Sequence, residues 1–186
     1  LHMSDVTFDM TNNKVEVHQQ YAEPWKVTLV DTGEDSQTGG RIKRVEDYVD
    51  DTFCLTYGDG VSDLDVGQLI AFHRQQTTLA TVTAIQPAAL FGAMDISDTR
   101  VESFHEKPLG DHRWVSGGFF VCEPEVLSRI DGDEVVWEHG PLESLARDKQ
   151  LSVFKHRGFW AAMDTMRDKA SLEQLWIEGK APWKVW

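Results

Sequence analysis

The chain has 186 residues and a formal net charge of −13, from 31 acidic against 18 basic side chains, so its surface is set against nucleic-acid phosphates and anionic membranes. Its 41% hydrophobic and 26% charged residues are ordinary for a soluble globular protein with one sizeable core. No apolar run approaches the ~18 residues of a membrane span and no signal peptide is visible. The two cysteines, Cys54 and Cys122, lie in strand-like apolar runs and read as buried free thiols of a reduced compartment, which points to the cytoplasm.

In chain order, the first predicted element is a hairpin. Val6, Phe8 and Met10 alternate with polar residues, Thr11-Asn12-Asn13 supplies turn chemistry, and Val15 and Val17 alternate again. A strand is expected over Val27–Val30, then a polar, glycine-bearing loop from Asp31 to Gly40. From Arg41 the apolar positions Ile42, Val45 and Val49 take helical spacing. A strand over Phe53–Tyr57 leads to a helix capped by Ser62 or Asp63, with Leu64, Leu69, Ile70 and His73 on its inner face.

Further strands are expected over Leu79–Ile85, Phe91–Ile96, Val101–Phe104, Trp114–Val121 and Leu151–Phe154. Helices are expected from Pro124 to Ile130, Pro141 to Arg147 and Thr165 to Gly179, the last burying Leu172, Leu175 and Trp176. Strands alternating with helices imply an α/β fold with a mixed, mostly parallel sheet flanked by helices. Residues 1–186 read as a single domain, with 1–20 as a β-hairpin arm outside the main sheet.

The chemistry-bearing positions cluster at strand ends. Asp59, in Tyr57-Gly58-Asp59-Gly60, and Asp164, in Met163-Asp164-Thr165, each follow an apolar run, where open α/β sheets bind ligands. Two such carboxylates can hold a hard divalent cation on a phosphate-bearing substrate. Each also fits a plainer role, an ordinary turn for Asp59 and, at Asp164-Thr165, either residue as the cap of the last helix. Glu106-Lys107-Pro108 ends a strand at a proline, offering an acceptor for sugar hydroxyls and a point charge for a phosphate, or else a surface ion pair. Gly117-Gly118 inside an apolar strand marks a bulge or a ligand lying on the backbone. Gly92, beside Phe91, offers a similar glycine. Arg41, after Thr38-Gly39-Gly40, sits at an expected helix start that suits an oxyanion. None of the seven histidines forms a metal-type His-x-x-x-His pair, and no serine or cysteine nucleophile motif is present.

Taken together these segments resemble the sugar-phosphate nucleotidyltransferase family and, within it, the glucose-1-phosphate cytidylyltransferases. The similarity runs from Leu1-His2-Met3-Ser4-Asp5 to Lys180-Ala181-Pro182-Trp183-Lys184. Landmarks between are Val30-Asp31-Thr32-Gly33, Thr38-Gly39-Gly40-Arg41, Tyr57-Gly58-Asp59-Gly60, Glu106-Lys107-Pro108, Gly117-Gly118-Phe119-Phe120 and Gly158-Phe159-Trp160. The resemblance implies a Rossmann-like nucleotidyltransferase fold. It also implies a reaction in which glucose 1-phosphate attacks the α-phosphorus of CTP, forming CDP-glucose for polysaccharide biosynthesis and releasing pyrophosphate. By position, Asp59 and Asp164 would hold Mg²⁺, with Lys107 on the sugar phosphate. Glu106 and Gly92 would meet the glucose hydroxyls, Val115 and Gly117 would line that pocket, and Arg41 would meet nucleotide phosphates, across a subunit interface in one arrangement.

The family's opening glycine-rich loop and its nearby lysine-rich segment have no counterpart in these residues. Pro87-Ala88-Ala89-Leu90 stands where an arginine is expected, and Ser116 where an asparagine is. The chain is therefore expected, as a truncated family member, to turn over CTP negligibly by itself. It is also expected to form a homo-oligomer that covers an apolar sheet edge. Two alternatives stay open: a non-catalytic remnant that binds sugar phosphate or assembles, and an enzyme using dTTP or UTP.

Overall fold

The computed structural model describes residues 5–18, 25–87, 93–97, 99–105 and 114–185. Its strands are β1 (Val6–Asp9), β2 (Lys14–Val17), β3 (Phe53–Thr56), β4 (Gly60–Ser62), β5 (Ala80–Ile85), β6 (Ala93–Ser97), β7 (Arg100–His105), β8 (Val115–Cys122), β9 (Leu151–Lys155) and β10 (Trp160–Ala162). Its α-helices are α1 (Thr38–Lys43), α2 (Val66–Gln75), α3 (Pro141–Arg147) and α4 (Met166–Ile177). Two compact units result, Leu1–Asp31 and Thr32–Trp186.

In the first unit β1 and β2 pair antiparallel, Val6 opposite Val17 and Asp9 opposite Lys14. Asp9 closes the turn by accepting from the amides of Thr11 and Asn12 and from the Asn12 side chain. Those bonds, the Asn12 side chain first, hold its carboxyl below the usual range. The strand expected over Val27–Val30 is absent: Val27 and Leu29 are 69% and 90% exposed, with no strand partner among the described residues. β-branched composition alone does not make a strand where there is no neighbour to pack on.

The second unit is organised by a four-stranded sheet in the order β3-β8-β5-β9. β8 runs antiparallel to β3 and β5, while β9 pairs parallel with β5. The sheet is therefore mixed, with three strands pointing one way and β8 against them. Side chains of β8 alternate between two cores, as the two-residue period of a strand requires. Phe120 and Cys122 join Ile42, Val126, Leu127, Trp137 and Leu145 on one face. Val121 joins Leu64 and Leu69 on the other. His73, buried on α2, bonds through Nδ1 to Thr81 Oγ1 at 2.8 Å and through Nε2 to Glu123 at 3.0 Å. Glu123 also accepts from Thr52 Oγ1 at 2.9 Å, so Thr81, His73, Glu123 and Thr52 form one hydrogen-bonded chain.

Several local expectations are corrected. The α2 cap is Asp65, whose side chain accepts from Gln68 N; Ser62 instead ends the short strand β4. Residues Pro124–Arg129 form a 3-10 helix rather than an α-helix. Both cysteines are free, but only Cys122 is buried and Cys54 is exposed. α4 buries none of its residues, and Trp176 is 49% exposed. Its start is held locally by a Thr165–Asp168 capping box, and it is followed by Gly179 at φ +68°. No described helix is long and apolar enough to cross a membrane.

Helix α1 begins at Thr38, not Arg41, and the double glycine lies inside it. A Cβ on Gly39 would stand 2.6 Å from Val135 O, and one on Gly40 2.5 Å from the Asp133 backbone. The pair lets the helix lie directly against the 133–137 segment, where Gln37 N donates to Asp133 O at 2.8 Å and Gly40 N to Val135 O at 3.2 Å. Arg44 locks the edge of this contact with two bonds to the Asp133 carboxylate. Gly40→Ala should lower stability in chemical denaturation by about 1–3 kcal/mol through overpacking, outweighing alanine's ~1 kcal/mol helix preference.

Candidate functional site

β4 and β10 form a two-stranded antiparallel ribbon, with Gly60 opposite Ala162 and Ser62 opposite Trp160. Asp59 immediately precedes β4 and Asp164 stands two residues beyond β10, so both lie at the same end of the ribbon. There Met163 N donates to Asp59 O at 2.8 Å, extending the ladder by one bond. Antiparallel pairing sets the start of one strand beside the end of its partner, and so delivers two carboxylates far apart in sequence from neighbouring turns.

The opposite wall is a bulge in β8. Pairing with β5 jumps from Val82–Phe120 to Ala84–Ser116, so Gly117, Gly118 and Phe119 stand against Thr83 alone. Gly118 has φ +76°, and a Cβ there would meet the Tyr57 ring at 2.8 Å. Trp160 Nε1 donates to Gly117 O at 2.7 Å, tying the bulge to the ribbon. Tyr57 packs edge-on to Phe120, and Phe120 edge-on to the buried Trp137. Its hydroxyl donates to Glu138, whose other oxygen accepts from Thr38 Oγ1 at 3.2 Å.

These walls enclose a cavity of about 320 Å³ lined by Tyr57, Asp59, Gly117, Glu138, Trp160 and Asp164, among others. Its lining has three carboxylates and no lysine, arginine or histidine among the described residues. Neither Asp59 nor Asp164 forms an ion pair among the described residues, which leaves their oxygens available to a hard cation. No set of three or more Asp, Glu, His or Cys side chains suited to a metal occurs among the described residues. Two carboxylates completed by water and substrate phosphate are nevertheless an ordinary donor set for magnesium.

Of the residues singled out in the sequence, Asp59, Asp164 and Gly117 therefore share one cavity. Val115, 42% exposed at the start of β8, pairs with Ile85 and is not part of the lining. Arg41 is also outside it. It lies in the last turn of α1 rather than at a helix start, and its guanidinium donates to Thr32 Oγ1 at 2.9 Å and Glu34 O at 3.0 Å. Gly92, Glu106 and Lys107 lie outside the described residues. Glu138, Thr38 and Trp160 were not foreseen as site residues. Glu138 belongs to no motif and meets Tyr57 across 81 positions of sequence, a pairing that only the fold creates.

A second opening of about 360 Å³ shares Trp160 and is lined by Pro87, His156 and Arg157. Beside it Ser62 Oγ lies 3.1 Å, and Asp63 Oδ1 2.9 Å, from His156. This is not a nucleophilic triad, because both partners use the same ring nitrogen, Nε2, and the Ser62 hydroxyl donates to Phe159 O at 2.8 Å. A triad needs the acid on Nδ1.

A family profile described as nucleotidyl transferase matches residues 5–156. The chain belongs to the nucleotidyl transferase family. It is 55% identical over 188 residues to a glucose-1-phosphate cytidylyltransferase of Salmonella typhi, covering 100% of this chain and 73% of that protein. A Bacillus subtilis (strain 168) protein named probable glucose-1-phosphate cytidylyltransferase is 38% identical over 185 residues, covering 98% of this chain and 72% of its own length. Among solved structures, UDP-glucose pyrophosphorylase complexed with UDP-glucose matches with a TM-score of 0.60 at 12% identity, covering 82% of this chain and 66% of that one. That likeness carries the mixed α/β nucleotidyltransferase fold.

Within this family member the Tyr57 phenol is held in its neutral form well above its ordinary value. Burial is the largest cause, followed by the Glu138 hydrogen bond and the charges of Glu138 and Asp59. A folded value raised above the unfolded one gives stability that is complete below about pH 10 and is lost as pH rises through the folded value. Stability measured by urea unfolding should therefore fall on the alkaline side of about pH 10, and Tyr57→Phe should flatten that slope.

Proposed function

We propose that this chain carries the sugar-phosphate side of an active site that joins glucose 1-phosphate to the cytidylyl group of CTP. A phosphate oxygen of glucose 1-phosphate attacks the α-phosphorus, the bond to the departing pyrophosphate breaks, and CDP-glucose forms. Such a transfer depends on alignment and charge neutralisation rather than on a covalent protein intermediate. The observation that carries this reading is the meeting of Asp59 and Asp164 at one end of the β4–β10 ribbon, in one cavity. Two uncompensated carboxylates there would repel a sugar phosphate unless a cation stood between them.

Asp59 and Asp164 would hold Mg²⁺, which supplies charge neutralisation to the phosphates when bound. The Gly117 backbone shapes the wall beside it. Lys107, Glu106 and Gly92 are assigned to the sugar phosphate and its hydroxyls by resemblance alone. CTP, rather than another nucleotide, is supported by the names of the two relatives above.

Calorimetry with glucose 1-phosphate should give binding that requires MgCl₂. Asp59→Asn and Asp164→Asn should each weaken it at least about 10-fold, the loss of one charge-assisted contact, with circular dichroism unchanged. Binding that is independent of magnesium and indifferent to both substitutions would refute the assignment.

A homo-oligomer belongs to the same reading, supported by the exposed Phe8, Met10 and Val15 of the hairpin, at 60%, 86% and 58%. Light scattering should return a mass above that of one chain; a monodisperse monomer would remove this element. The free thiols accord with a cytoplasmic protein.

A further inference from the structure

We propose that Glu138 is a specificity-determining acceptor that reads hydroxyl groups on a sugar ring of the bound substrate. The inference rests on the substrate assignment above and goes beyond it. The carboxylate lines the same cavity as Asp59 and Asp164, yet it is oriented by a separate apparatus. Tyr57, in the turn after β3, donates to Oε1, and Thr38, the first residue of α1, donates to Oε2. Trp137 N donates to Thr38 Oγ1 at 2.9 Å, which turns that hydroxyl's proton toward Glu138. The close seat of Gly39 and Gly40 on Val135 and Asp133 holds Thr38 where it can do this.

An ionised carboxylate offers about four acceptor positions, and two are filled by these hydroxyls. The remaining capacity has no cation to satisfy it among the described residues, because the cavity lining contains none. Glu138 is not part of a three-residue metal set among the described residues. A phosphate group would be repelled at this position, since its oxygens are also charged acceptors. A neutral donor is what such an oxygen pair accepts. Adjacent hydroxyls of a sugar ring supply it, and both the hexose of a sugar phosphate and the ribose of a nucleotide carry them.

The plainer alternative is that Glu138 only anchors Tyr57. The two differ in what they do to ligands lacking one hydroxyl. The test is calorimetry in MgCl₂ on the wild-type chain and on Glu138→Gln. The probes are glucose 1-phosphate with its 2-, 3-, 4- and 6-deoxy analogues, and CTP with its 2′- and 3′-deoxy counterparts. Glu138→Gln should bind the parent ligand about 10- to 100-fold more weakly, the range for a hydrogen bond to a charged group. It should bind one deoxy analogue as the wild type does, because that analogue lacks the hydroxyl being read. A match in the first series assigns the hexose, and a match in the second assigns the ribose.

Equal weakening for the parents and every deoxy analogue would overturn the proposal in favour of an anchoring role, and no weakening at all would overturn it outright. If Glu138→Gln does not fold, Glu138→Asp takes its place in the same two series and is read by the same outcomes, and uniform binding by the wild type across both series ends the inference. A wild-type chain that binds neither parent ligand removes the substrate assignment and this inference with it. Intact parent binding with hydroxyl-blind behaviour removes the role of Glu138 alone.

Discussion

The bulge in β8 is the constraint on which the rest of the site depends. β8 is an inner strand of the four-stranded sheet, and its side chains reach both cores. Where the bulge turns Gly117 and Gly118 out of register, one carbonyl receives the Trp160 indole and one α-carbon receives the Tyr57 ring. Trp160 opens β10, which leads to Asp164, and Tyr57 opens the turn that carries Asp59. Both acidic side chains are thereby referred to a single segment of buried backbone. Any side chain at Gly118 would meet the Tyr57 ring while also being forced into a left-handed conformation, so the two demands on glycine coincide there.

Most of the sheet was legible in the chain because apolar, β-branched runs bounded by turn residues announce themselves within a few positions. The hairpin around Asn12 and the strands at 80–85 and 115–122 are of this kind. Asp59 and Asp164 were legible too, since strand-end carboxylates stand out locally. What stayed hidden was set by partners distant in sequence. Val27–Val30 has strand composition and no neighbour among the described residues. The Thr38-Gly39-Gly40-Arg41 segment looks like a loop that grips an anion, and is instead a helix pressed against the 133–137 backbone. Glu138 has no local signature, because its meaning comes from Tyr57 and Thr38, which approach from different elements.

Electrostatically the cavity is one-sided. Three carboxylates face it and, among the described residues, no cation lines it. Its chemistry is therefore divided by position rather than by sign: two acids at the ribbon end suit a hard metal ion, while the third, already dressed by two hydroxyls, suits further hydroxyls. On the reading proposed above, a cation-bound phosphate lies at one end of this cavity and a neutral ring at the other.

Cys54 shows how exposure and reactivity can part company. It lies on β3, at an outer position of the four-stranded sheet, and its residue surface is open to solvent. Partial burial nonetheless pushes its thiol pKa above the ordinary value, which disfavours the thiolate. Since thiolate is the attacking species in alkylation and disulfide exchange, that shift lowers the reactivity of the group at neutral pH. A cysteine reagent would count it as reachable and still label it slowly.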